Sequence, residues 1–250
     1  FELAYQLPEA YLDRPAPSAE QLAAIEEANR PLWLNIWYQK SVQVGVLAAA
    51  LLLLTAILFL QDTLAQRPRL LHWVRRGYLS FTVLFIGGYA LGQLSVVNVL
   101  TFVHALFENF RWELFLTDPV IFMLWVFTAG SILLWGRGVF CGWLCPFGAL
   151  QELINELARK LKVPQYELPF AVHERLWALK YIILLVLFGL SLESMATAER
   201  FAEVEPFKTA ITLRFDRQWW FVLYAAGLLV VNLFTRKVYC RYICPLGAAL

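Results

Sequence analysis

Five apolar runs, at residues 41–60, 78–99, 119–135, 176–192 and 219–234, constrain what this chain of 250 residues can fold into. A hydrocarbon slab about 30 Å thick takes about 20 helical residues to cross. Inside it the backbone finds no water, so a lone crossing segment has to be a helix that satisfies its own N–H and C=O groups. Aromatic flanks lengthen the shorter runs. The prediction is an all-α, polytopic membrane helix bundle with five transmembrane helices over residues 40–250. A large soluble helical core fits poorly, because 16% of the residues are charged against about 25% in an ordinary soluble domain. The net charge of +2 gives no reason to expect nucleic acid as a partner.

Charge between the runs predicts orientation. Arg67, Arg69, Arg75 and Arg76 follow the first run. Arg137, Arg159, Lys160 and Lys162 follow the third, and Arg236, Lys237 and Arg241 follow the fifth. Lys and Arg collect on the cytoplasmic side. Between the second and third runs Arg111 is offset by Glu108, Glu113 and Asp118. The loop before the fifth run is acidic, although it also holds four basic residues. The N-terminal side is therefore expected outside. Residues 1–39 read as a linker on that side with a short helix, Ala19–Ala28, capped by Ser18 and ended by Asn29 and Pro31. Trp33, Trp37 and Tyr38 suit either a membrane interface or a packed linker. The stretch 101–116 is aromatic and reads as an interfacial helix, with Asn98 and His104 as candidates to face a quinone head group. Phe1 in place of a start methionine, and an end inside a helix, predict a piece of a longer protein.

All four cysteines stand in two stretches, GRGVFCGWLCPFGAL and RKVYCRYICPLGAAL. A shift of 99 residues superimposes them: Arg137 on Arg236, Cys141 and Cys145 on Cys240 and Cys244, Pro146 on Pro245, and Gly148 on Gly247. Each follows an apolar run, so the core reads as a duplicated span-pair plus C-x-x-x-C-P hairpin. Both hairpins, 136–162 and 236–250, are expected on the cytoplasmic side. The repeat is parallel and predicts two hairpins side by side.

Thiols on the reducing side of a membrane seldom form structural disulfides. Two pairs give four ligands, the number needed by a [4Fe–4S] cluster or a tetrahedral zinc ion. Cys141, Cys145, Cys240 and Cys244 are therefore the candidate metal ligands. Arg137, Arg236, Lys237 and Arg241 are expected to stabilise thiolates. Pro146 and Pro245 are expected to open helices whose free N–H groups point back at the sulfurs. Simple packing of four inert cysteines is the plainer alternative. No nucleophile with its base is visible, and His72, His104 and His173 are spread over different loops.

FCGWLCPFGAL and YCRYICPLGAAL resemble the polyferredoxin-like membrane proteins of the NosR/NapH/CcoG type, with the detail most similar to the NosR-type members over residues 40–250. The resemblance implies a multi-pass electron-transfer module of a bacterial inner membrane, with the N-terminal side and the linker of residues 1–39 in the periplasm, that supports nitrous oxide reduction by electron donation to nitrous oxide reductase or by its maturation. It implies FMN and further [4Fe–4S] clusters in flanking domains outside this sequence, with quinone or quinol as a candidate partner beside membrane lipid. Two other readings stay open: a structural anchor joining flavin and ferredoxin domains, and a thiol or copper-handling relay.

Overall fold

The computed structural model describes residues 18, 31–107, 110, 112–136, 138–166 and 169–250. The expected helix Ala19–Ala28, Glu108, Arg111 and Arg137 lie outside the described residues. Among the described residues the secondary structure is helical throughout, with no strand.

After a short helix α1 (Leu32–Gln39), α2 (Ser41–Phe59) carries the first apolar run. The second run does not form one helix. Helix α3 (Pro68–Phe81) starts before it, passes into a π-helical stretch over Thr82–Tyr89, and gives way to irregular chain at residues 91–95. Helix α4 (Val96–Phe107) then begins anew. The third run is α5 (Pro119–Trp135), and the arm after the first cysteine pair is α6 (Pro146–Lys160). Helices α7 (Phe170–Glu193) and α8 (Met195–Phe201) follow, then α9 (Trp219–Phe234). Two short helices, α10 (Val238–Tyr242) and α11 (Leu246–Ala249), close the chain.

Helices α2 and α7 are long and apolar enough to cross a membrane, and only 33% and 17% of their apolar windows are buried. The core helix of a soluble protein hides such a face; these leave Leu52, Leu185 and Val186 exposed. Apolar area left out of the core in this quantity marks membrane contact. Helices α4, α5 and α9 are apolar but shorter.

Packing explains the break in the second run. A Cβ on Gly92 would stand 2.5 Å from Val120 Cγ1, and one on Gly87 would stand 2.9 Å from Pro146 Cβ. The chain has to come this close for α5 and the first hairpin to seat. A helix carrying ordinary side chains there would hold both away. Leu91 adopts a positive φ of 50° where the helix stops. Gly87→Ala is expected to lower stability by about 1–3 kcal/mol, since the proline ring cannot swing aside. Thermal unfolding of the detergent-solubilised protein measures it.

The two ends of the bundle are marked by contacts. Lys40 pairs with Asp118 at 3.6 Å where α2 and α5 begin, and Phe59 meets Trp135 edge-on where they finish. At that second end α6 is clasped by charge. Glu152 accepts from Arg75 at 2.8 and 3.0 Å and pairs with Lys237 at 2.6 Å, and Glu156 pairs with Arg76. Asn232 on α9 donates to the Gln151 carbonyl at 2.6 Å, and Asn155 donates to the Asn232 carbonyl at 3.0 Å.

Candidate functional site

The first hairpin leaves α5 through Gly136, whose φ of 83° turns the chain. It re-enters as a π-helical turn, Phe140–Leu144, and reaches Cys145 in extended conformation. Cys145 is the N-cap of α6, with Pro146 in the first turn. The Gly148 N–H donates to Cys145 Sγ at 3.4 Å. The second hairpin turns at Lys237, held left-handed at φ 53° with its N–H given to Asn232 Oδ1 at 2.8 Å. There the Gly247 N–H donates to Cys244 Sγ at 3.3 Å. The three-residue spacing from cysteine to glycine thus brings a glycine N–H to sulfur in both hairpins, with Cys145 itself the N-cap of α6 and Pro245 the N-cap of α11. As expected, helix N-termini face the second sulfur of each pair.

The four cysteines line one cavity, together with Gln93, Glu205 and Tyr239. Gln93 Nε2 donates to Cys145 Sγ at 3.4 Å, and Cys240 Sγ donates to Gln151 Oε1 at 3.2 Å. Gln93 lies in the break of the second run, and Glu205 sits on the connection between α8 and α9, which charge assigned to the side opposite the cysteines. The hairpins therefore return from the Trp135 end into the bundle, and their sulfurs sit between its two ends.

The expectation of a [4Fe–4S] cluster at these cysteines is corrected. The cavity measures about 20 Å³, room for about one water and not for an inorganic cluster. Among the described residues no three His, Cys, Asp or Glu side chains come together closely enough to hold a metal ion. Among the described residues, the cations expected to stabilise thiolates are engaged elsewhere. Lys237 and Arg236 go to Glu152, at 2.6 and 3.7 Å, and Arg241 lies over the Tyr242 ring. A carboxylate is the stronger partner for a cation than a thiol. Burial consequently dominates at the sulfurs. It pushes Cys141 up to about 12, with Cys145 adding to the rise and Lys237 and Lys180 opposing it. Burial also raises Cys145, Cys240 and Cys244. These are neutral thiols at pH 7.

Sequence reasoning missed Gln93, Gln151 and Glu205. A glutamine inside an apolar run, as in LGQLSVV, was the available signal, because such a side chain needs a buried partner. Glu205 carried none, being one of several carboxylates in its loop. Asn98 lines a separate aromatic cavity of about 390 Å³ beside Phe102, Trp112 and Trp125; His104 is not among its lining residues. His173 Nδ1 bonds the Tyr242 hydroxyl at 2.9 Å.

A family model described as "4Fe-4S binding domain" matches residues 117–164 and 217–250. The whole chain is 78% identical over 250 residues to the "Regulatory protein NosR" of Pseudomonas aeruginosa, covering 35% of that protein. It is 49% identical over 245 residues to the "Protein NirI" of Paracoccus denitrificans, with 98% of the chain and 34% of that protein covered. The "Ferredoxin-type protein NapH" of Haemophilus influenzae is 29% identical over 206 residues, 72% of the chain and 64% of that protein. The chain thus spans about a third of the length of the NosR and NirI relatives. No solved structure matches.

Proposed function

This chain belongs to the NosR-type group of polyferredoxin-like proteins, and from that membership we propose that it is a membrane electron-transfer module supporting nitrous oxide reduction. The acceptor is nitrous oxide reductase, or a factor of its maturation. The observation that carries the reading is the single cavity lined by Cys141, Cys145, Cys240 and Cys244. Inert packing gives no reason for two related hairpins to turn back into a bundle and bring four sulfurs to one place.

The sulfurs work as thiols. Closing two of them to a disulfide releases two electrons and two protons: the S–H bonds break and one S–S bond forms. The electrons pass to the redox metal centres of the acceptor protein, and a dithiol donor on the opposite face, oxidised to its own disulfide by thiol–disulfide exchange, gives its two electrons and two protons to return the pair to thiols. Gln93 and Gly148 donate to Cys145, and Gly247 donates to Cys244. Negative charge forming during the exchange is best held on these two sulfurs. Thiol trapping tests the proposal in membranes of denitrifying cells. Rapid acid quench and alkylation should find the four cysteines partly oxidised while nitrous oxide is being consumed, and reduced when the acceptor is deleted. Identical trapping patterns in both states defeat the electron-transfer reading and favour a structural anchor.

The same reading has five spans, an outer N-terminal side with residues 1–39 as linker, and hairpins entering from the cytoplasm. The Lys/Arg distribution supports it. Reporter fusions after residues 68 and 165 are expected to report cytoplasm, and fusions near 110 and 205 the outside. A fusion after 165 reporting outside removes this topology.

A further inference from the structure

We propose that Glu205 is the proton-exchange group of the cysteine cavity, passing protons between the thiols and a cleft that reaches the surface of the bundle. The proposal rests on the reading of the four sulfurs as working thiols.

Glu205 is 2% exposed and lines two cavities at once. One is the cysteine cavity. The other measures about 240 Å³ and is lined by Asn98, Glu199, Lys208 and Thr212 among others. Glu199 and Thr212 are exposed, so this second space opens outward. The carboxylate is held in place between them. Ser95 Oγ donates to its Oε2 at 2.5 Å, and the Val96 N–H, at the start of α4, donates to its Oε1 at 3.0 Å.

The cavity needs such a group. A neutral thiol in an apolar space can neither lose an electron cheaply nor become a nucleophile until its proton has somewhere to go. Of the other side chains lining that space, Gln93 does not titrate and Tyr239 is held protonated by burial. Glu205 is the carboxylate there. The S–H bond breaks, an O–H bond forms on Glu205, and that proton leaves to water in the cleft. The cavity's room for about one water supplies the link where sulfur and oxygen do not meet directly. Burial lifts Glu205 to about 7, against the Ser95 and Val96 hydrogen bonds that favour its charge. It can therefore both accept and release a proton near neutral pH. The titratable groups facing it are the four thiols and Tyr239 on one side and Glu199 and Lys208 on the other. Lys208 is already paired with Glu203 at 3.1 Å.

Hydrogen–deuterium exchange at sulfur tests this directly. The full-length protein in lipid nanodiscs is moved into D2O, and the infrared S–H stretch of the cavity thiols is followed against pH. Cys→Ser variants assign the band. Glu205→Gln keeps an oxygen for the Val96 N–H, so the fold is expected to hold. Exchange at pH 7 should slow about tenfold or more, its inflection near neutral pH should vanish, and a protonated-carboxyl stretch should be lost. Ser95→Ala removes a bond that favours the carboxylate, so the inflection should move to higher pH. Equal exchange in wild type and Glu205→Gln overturns the proposal. Should Glu205→Gln fail to fold, an unmoved inflection in Ser95→Ala overturns it. The readout requires no turnover, so its failure is separable from a failure of thiol trapping.

Discussion

Cys244→Ser in the full-length protein is expected to reduce nitrous oxide consumption by denitrifying cells to background, with the protein still present in the membrane at its normal level. The serine hydroxyl can accept from the Gly247 N–H as the sulfur does at 3.3 Å, so the turn into α11 survives. What disappears is the ability to hold a disulfide or to carry charge on sulfur. Oxygen cannot form the equivalent bond, and the remaining thiols lose a partner in the one cavity they line. The measurement is nitrous oxide uptake in a strain lacking its own copy, wild type against variant, with membrane protein quantified beside it. Wild-type uptake by Cys244→Ser, and again by a variant with all four cysteines changed, leaves the bundle as an anchor.

Glu152→Ala is expected to be the most destabilising single change at the clasped end, costing on the order of 3 kcal/mol. Glu152 is 8% exposed and receives Arg75 from α3 and Lys237 from the second hairpin turn. Burial alone would raise its pKa. The hydrogen bonds and charges of Arg75 and Lys237 outweigh burial and hold it at about 2, against 4.5 ordinarily. A depressed carboxylate contributes stability that is complete above its unfolded value and is lost as pH falls through the folded one. Wild-type stability should therefore decline between about pH 4.5 and pH 2. The alanine variant should lack this component of the decline. Urea or thermal unfolding at stepped pH reads both. An unchanged midpoint at pH 7 would show that the clasp is solvated and that packing alone holds the hairpins together.

Glu152 also marks where the sequence was legible and where it was not. The sequence has Pro146 open a helix within the first hairpin and gives Glu152 no partner. It assigned Arg236 and Lys237 to the thiols. Which of two anions a cation reaches depends on distances between segments remote in sequence, and Arg75 and Glu152 are 77 residues apart. The break at residues 91–95 was missed for a related reason. Hydropathy averages over a window and registers Gly87 and Gly92 as merely apolar, whereas their requirement comes from Pro146 and Val120 arriving at 2.9 and 2.5 Å. The cluster expectation failed on volume. Four ligands could be counted along the chain, but the space between them could not.

The sequence by itself determined the helical class, the apolar exterior of α2 and α7, the 99-residue relation between the cysteine pairs and the glycine N–H given to the second sulfur of each pair. Each is set by composition or by neighbours a few residues apart, through backbone self-satisfaction in an apolar medium and the fixed rise of a helix. Only the tertiary structure decided that the hairpins fold back between the ends of the bundle, that the cations go to Glu152, and that Gln93 and Glu205 complete the cysteine cavity. Those outcomes depend on which surfaces exclude one another at close packing, where a single methyl group or one buried carboxylate decides among arrangements of equal hydropathy.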